Sequence, residues 1–407
     1  MSPELPAPSR AAGLARLAEF APRMGRAYAA GRNTDPGPGR RADVSRLSAH
    51  VRHRLLLEEE LVGAALACHR FAEAEKFVRE VFWRSYWKGF LALRPAMWAE
   101  YRARVAEEQA RLATRGGLRA AVERAMAGRT GLACFDAWAR ELVETGWLHN
   151  HARMWFASIW IFTLRLPWPL GAEFFRHHLC DADAASNTLS WRWVAGIQTP
   201  GKHYLARAEN IARHTAGRFD PRGVLDEAAA PLDEPGPPPP GALPPADPPP
   251  RGPVALLLHE EDLHPESLPP LHPESLPPLR VAALGAVRPP EPRAPLASAF
   301  TEAALADGLA RAAARFGLPG ALLAPEAVAD WAAESGAPAL ALPEPAIGPL
   351  ADWVERSLRP ALAARGLVLH RLRRPWDAAC WPLARKGFFP FRESIPRLIA
   401  ALSPRAP

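Results

Sequence analysis

The sequence predicts a mainly α protein: an all-helical N-terminal domain over residues 1–220, then a smaller C-terminal α/β domain over 254–407 with a mostly parallel sheet. Three observations carry that prediction. The first half keeps apolar side chains at three- and four-residue steps, the period of a helix with one buried face. Residues 221–253 are rich in proline (Pro237 to Pro240, Pro248 to Pro250) and read as a stiff, solvated linker. Beyond it, short apolar runs alternate with amphipathic segments, the rhythm of strands joined by crossover helices.

The elements follow in order. Residues 1–30 form a helical lead-in, and the Gly- and Pro-rich run 31–43 breaks it by turn chemistry. Helical patterning resumes through about Glu60 and is strong over 71–93. Residues 100–127 form a polar helix. Residues 152–170 read as one central helix, since Arg153, Arg165 and Pro167 interrupt the apolar run that a membrane span would need. Residues 171–180 form another helix. In the C-terminal part 254–258, 281–287, 339–342 and 367–372 are strand-like, while 300–316, 328–334 and 350–364 are helical. Residues 264–271 recur immediately as 272–279, a tandem duplication in a loop and not a solenoid, which needs more and longer units.

Composition narrows the function classes. Four scattered cysteines without a CxxC pair argue against a disulfide framework or a zinc site, so no metal is expected. With no leader and no long apolar run, the chain reads as cytoplasmic, with no membrane partner. No GxGxxG, GxxxxGK or HExxH occurs. Residues 1–220 carry 32 Lys and Arg against 22 Asp and Glu, and the remainder 18 against 21. A basic first half suits a polyanion such as nucleic acid, or is the Arg-rich helix surface of a GC-rich genome.

Candidate residues crowd between Thr130 and Trp193. Thr145-Gly146-Trp147-Leu148-His149-Asn150, Arg153-Met154, Asp181-Ala182-Asp183, Asn187, Trp191 and Trp193 are an unusual company for a plain helical core. Upstream, Ser45-Arg46-Leu47-Ser48 ends a loop and can hold a phosphate through hydroxyl and backbone donors, although Ser48 also serves as a simple helix N-cap. Glu80, Trp83, Arg84 and Trp87 share one helical flank. They can line a planar polar ligand, or be an i,i+4 ion pair beside a core aromatic.

Taken in order, Tyr28, Arg32-Asn33, Ser45 to Ser48, Glu80, Trp83-Arg84, Thr130-Gly131, Asp136 and the Thr145–Trp193 set resemble the flavin-binding helical domain of the DNA photolyase/cryptochrome family, over about residues 11–220. The resemblance implies FAD in a U shape inside the helical domain. It assigns Tyr28 and Ser45, Arg46, Leu47 and Ser48 to the phosphates, and Arg84 and Asn150 to the flavin. It makes Arg153 and Asp181 a buried pair beside the ring, gives Asp183 a contact to flavin or ribose, and turns Asn187 toward the flavin N5. Val44 stands where the family usually has Thr.

The same resemblance gives a substrate set matching the cyclobutane pyrimidine dimer repair branch: Glu80, Trp83, Met154 and Trp193. Indoles suit splayed bases, with stacking worth about 1–3 kcal/mol per base. Glu80 would hydrogen-bond the dimer carbonyls. The (6–4) branch usually has His where this chain has Met154, and repair enzymes often have Arg where it has His151. Trp191 and Trp168 match the first two members of the family's electron-relaying tryptophans. The third position aligns near Arg115, which leaves Trp138, Trp155 or Trp160 as substitutes, and core packing as the plain alternative. Residues 254–263 and the later helices resemble the family's antenna domain in a permuted, C-terminal position, and 387–391 its closing segment. A second chromophore, a pteridine or a deazaflavin, would belong there.

The expectation is therefore a monomeric, blue-light-driven lyase that splits pyrimidine dimers in DNA with reduced FAD. The alternatives are a cryptochrome-like photoreceptor without repair, and a nonphotochemical flavin- or DNA-binding module.

Overall fold

The structure is a computed structural model and describes residues 4–268 and 279–402. The second copy of the duplicated segment, apart from Leu279, lies outside the described residues. Helices dominate the first half, and a five-stranded sheet forms in the second. Among the described residues no helix is long and apolar enough to cross a membrane.

Two helical segments divide where the sequence reading runs them together. The polar stretch becomes Ala96–Thr114 and Gly116–Met126, because Arg115 leaves helical geometry at φ −117°, ψ 84° ahead of two glycines. The central stretch becomes Asn150–Ser158, a π turn over Ile159–Thr163, and a new helix, Trp168–His178. Arg165 takes φ 52° and Pro167 caps the new helix, so the break sits where the ring and the left-handed residue forbid continuation.

The strands are β1 (Val254–His259), β2 (Val281–Val287), β3 (Gly320–Leu323), β4 (Ala339–Pro343) and β5 (Val368–Leu372). They run parallel in the order β3-β2-β1-β4-β5. Both β1 and β4 are buried along their whole length, as expected of strands covered on two faces. β3 escaped the sequence reading: Gly-Ala-Leu-Leu is short and only half-buried at the sheet edge.

In doubly wound sheets the crevice beyond the strand ends, where the order reverses, is the usual ligand site. Here β1 is the reversal strand, and the helical part fills the space past its end. Arg52 reaches the Glu260 carbonyl and carboxylate at 2.7 and 3.0 Å. Leu55 buries in the apolar core of the sheet. A cavity of about 20 Å³ remains beside Arg52, Glu260 and Arg293, room for a water and not for a fused ring.

The two halves are knitted by a buried ionic junction. Arg54 donates to Asp262 just after β1 (3.2 Å) and to both oxygens of Asp377 (2.7 Å), with Glu58 at 3.5 Å. Arg374 holds Asp262 from the other side at 2.5 and 2.6 Å. After β5 the chain returns to the helical half. Trp376, Cys380, Trp381, Phe388, Phe391 and Leu398 join the same apolar core as Phe82 and Tyr86 of the long helix Phe71–Ala92. The Pro-rich stretch is strapped along that half as well: Leu232 N–H bonds the Ala195 carbonyl at 3.0 Å, and Gly241 N–H the Leu93 carbonyl at 2.8 Å.

Candidate functional site

Local capping explains much of the motif set. The Asp136 carboxylate accepts from Thr130 N–H (2.8 Å), Thr130 Oγ1 (2.7 Å) and Gly131 N–H (2.9 Å), locking the turn that starts helix Ala133–Thr145. Gly146 ends that helix at φ 65°, and a Cβ there would lie 2.6 Å from both Cys180 Sγ and Leu296 Cδ2. Trp147 to Asn150 are thereby aimed into the next helix. Asn150, its first residue, is exposed.

Arg153, part-exposed, pairs with the buried Asp181. Arg153 Nη1 and Nη2 donate to the two Asp181 oxygens at 3.1 and 2.9 Å, and Nε donates to the Leu148 carbonyl at 3.0 Å. Burial pushes the Asp181 carboxyl up, but the Arg153 charge and hydrogen bonds, aided by Ser48 and Arg84, outweigh it and hold the group below its ordinary value. Two residues on, Asp183 N-caps helix Ala184–Ala195 by accepting from Ser186 N–H at 2.7 Å, and pairs with Arg84 at 2.5 Å. Arg84 therefore bonds across to Asp183; its sequence neighbour Glu80 is bonded to Arg32. Arg84 also reaches the Ser48 carbonyl at 3.5 Å. Ser48, Arg84, Arg153, Asp181 and Asp183 are thus brought to one place from four separate segments. Asn187, one turn into its helix, is buried and donates through Nδ2 to the Ala172 carbonyl at 2.8 Å.

The Ser45–Ser48 turn is held by a residue the sequence reading missed. Arg16 donates to the Ser45 and Val44 carbonyls at 2.9 and 3.1 Å. Nothing in the amphipathic pattern of helix Arg10–Phe20 marks it. Arg46 adopts φ 59°, and its Nε is buried with no protein partner among the described residues; Leu47 is fully packed. Tyr28 lies against Phe77 (ring centroids 5.2 Å) and Arg32, beside Glu80. Its ring also meets Phe20 at 6.4 Å, and Arg16, which holds the Ser45–Ser48 turn, stands over Phe20. The donor set suits a nucleotide: cations and an unused buried N–H at the turn, and carboxylates at Asp181 and Asp183 for ring and ribose donors.

Glu80 and Trp83, Met154, and Trp193 stand on three helices, of which Phe71–Ala92 and Asn150–Ser158 both pack against Ala184–Ala195. All four are part-exposed. Trp83 is stacked by Phe388, and Trp193 by Tyr204 at 5.8 Å. His151 stacks on Trp155 at 4.1 Å and bonds the Asn33 carbonyl at 2.9 Å; burial lowers its pKa, so the ring is neutral near pH 7. An arginine at that position would carry a permanent charge; this imidazole does not.

Trp191 is buried, with ring contacts to Phe156, Trp160 and Phe175. Trp168 instead stacks on Tyr101 at 5.6 Å. Trp138 and Trp155 stack on each other at 5.4 Å.

Comparison with known proteins follows the same outline. Residues 77–225 match the family described as the FAD binding domain of DNA photolyase. A deoxyribodipyrimidine photo-lyase of Streptomyces griseus is 37% identical over 190 residues, 44% of this chain and 37% of that protein. Cryptochrome-2 of Arabidopsis thaliana is 41% identical over 96 residues, 24% of this chain and 15% of that protein. A crystal structure of a bacterial class III photolyase from Agrobacterium tumefaciens aligns with TM-score 0.42 and 24% identity, covering 51% of this chain and 43% of that one. The chain spans less than half the length of these two curated relatives. Glu80 to Trp193 of the motif set lie inside the matched residues, and over that stretch the chain carries the FAD-binding domain of the DNA photolyase/cryptochrome family.

Proposed function

We propose that this protein binds FAD in its helical half and uses blue light to split cyclobutane pyrimidine dimers in DNA. The observation that carries the reading is the two-pronged pair of part-exposed Arg153 with buried Asp181, with Arg84–Asp183 beside it. Buried charges are retained where each has its partner, since stripping one away costs roughly 3–5 kcal/mol. Two such pairs side by side make a rigid polar wall against which a flavin ring and ribose can be held. Reduced FAD, once bound, supplies the electron that a dimer needs in order to break.

The residues of this chain bind and orient. Arg16 fixes the Val44–Ser45 backbone, and Arg46 brings a cation and an unused N–H to the phosphates. Trp83 and Trp193 offer indole faces to the splayed bases, with Met154 filling between them. Glu80 hydrogen-bonds the dimer carbonyls after leaving Arg32. The basic first half draws in the DNA backbone.

A second reading, a photoreceptor without repair, is favoured by the ring of Phe388 on Trp83 and by the neutral His151. The test is an absorption spectrum of the purified protein, then illumination of the reduced protein with a dimer-containing oligonucleotide. Restored thymines support repair. Flavin photoreduction without restored thymines supports the photoreceptor. A colourless protein that takes up no added FAD sinks both.

A further inference from the structure

Trp191 and Trp168, the two indoles that the family resemblance assigns to electron relay, have a neighbour that the resemblance does not name, Tyr101 beside Trp168. Trp191 lies on helix Trp168–His178 at Gly171, where an added Cβ would run into the Trp191 and Trp160 rings. Trp168 is three residues from Gly171 and so shares its face of the helix. From Trp168 the path does not turn toward Trp138 or Trp155. It passes to Tyr101, stacked at 5.6 Å and 25°, on helix Ala96–Thr114. The branch through Trp160 ends among Phe135 and Phe156, rings that are hard to oxidise.

Tyr101 is 1% exposed, and its hydroxyl donates to Glu173 Oε1 at 2.7 Å. Glu173 sits on the same helix as Trp168, and Arg176 grips both its oxygens at 2.8–3.1 Å. The carboxylate is therefore ionised and aimed at the phenol. Beyond Tyr101 lies Trp98, at 5.5 Å. The Arg102 guanidinium stands 5.7 Å over the Trp98 ring, where a second positive charge is unwelcome.

We infer that Tyr101 is the terminal electron donor of this chain's aromatic path and that Glu173 is its proton acceptor. The inference rests on the flavin reading above. When the hole left by electron loss from Trp191 reaches Trp168, one electron passes from Tyr101 to Trp168, which is restored. The phenolic proton of Tyr101 moves to the Glu173 carboxylate. Tyr101 is left as a neutral tyrosyl radical, Glu173 as a carboxylic acid, and the electron that left Trp191 stays on the flavin. Proton transfer is what traps the charge: the way back requires the proton to return. The competing trap is Trp168 itself, whose Nε1 donates to Glu234 at the longer distance of 3.3 Å.

The test uses the flavin-loaded full chain, oxidised, illuminated without added reductant and frozen for electron paramagnetic resonance. The expected signal is a tyrosyl radical that narrows with ring-deuterated tyrosine and vanishes in Tyr101→Phe. In that variant, charge recombination speeds up by an order of magnitude or more, and the solvent deuterium effect on radical formation is lost. Glu173→Gln keeps a polar partner for Arg176 but cannot take the proton, so its tyrosyl yield falls too. A neutral tryptophanyl radical in the unaltered protein, or Tyr101→Phe recombining at the unaltered rate, overturns the proposal while leaving the flavin reading intact. A protein that takes up no flavin overturns both.

Discussion

Phe388 lies flat on Trp83: the ring centroids are 3.6 Å apart and the planes within 10° of parallel. The residues come from opposite ends of the chain, and the stack puts a C-terminal ring on the indole assigned to substrate. Phe388 is 4% exposed, and Phe391 behind it packs against Tyr86 and Phe82. Replacing Phe388 by Ala is expected to lower unfolding free energy by about 3–5 kcal/mol, read from urea melts. If the ring also bars substrate, the variant binds dimer-containing oligonucleotide more tightly than the unaltered protein, by fluorescence anisotropy. Equal affinity would show that Phe388 only packs.

Arg153→Ala leaves the buried Asp181 without its partner, and Asp181→Asn leaves Arg153. Each single change should cost on the order of 3–5 kcal/mol, and the double variant less than their sum. Because Asp181 is held below its ordinary pKa, its contribution is present above the unfolded value and lost as pH falls through the folded one. Acid titration of the unfolding free energy should therefore be shallower in Asp181→Asn. Strict additivity of the two single changes would refute the pairing.

A second pH dependence has the opposite sign. Arg41 is shared by Asp35 (2.6 Å) and Glu141 (2.6 Å), with Glu4 at 3.3 Å, all buried under the face of Trp147. Burial, and then the Asp35 charge, push Glu141 from 4.5 up to about 7. The folded state thus binds the extra proton between those values, and stability falls as pH rises through that window, by on the order of 3 kcal/mol. In Glu141→Gln this slope should shrink in denaturant melts taken across the window, while Glu59, which burial and the Glu58 charge also raise to about 7, keeps its own share. An unchanged slope would place the titrating group elsewhere.

Gly146→Ala combines a left-handed φ of 65° with a Cβ 2.6 Å from Cys180 Sγ and Leu296 Cδ2. The strained backbone alone costs about 1 kcal/mol, and the clash adds to it. The variant should melt earlier and retain less flavin, because Gly146 aims the turn into the helix that carries Arg153. Unchanged flavin retention would separate the cap from the site.

Several features could be read from residue order alone. Helical and strand-like rhythms gave the two-part fold class, since periodicity reports which face is buried. The helix end at Gly146 was not drawn from the sequence, although a left-handed C-terminal residue favours glycine. The Arg153–Asp181 pair was foreseen only through the family resemblance; 28 residues apart, the two share no local period.

What tertiary structure alone decided joins segments too distant for any local rule. Arg54 meets Asp377 across 323 positions, Trp376 bonds Ser85 across 291, and Tyr86 bonds the Lys386 carbonyl across 300. Such contacts depend on how whole elements dock, and each partner's local sequence is equally at home on a solvated surface. The same holds for Tyr101 and Trp168: each reads locally as a core aromatic, and only the docking of two helices stacks them and turns the phenol toward Glu173. Burial patterns are written in the order of side chains, whereas the choice of which buried faces meet is made by packing in three dimensions.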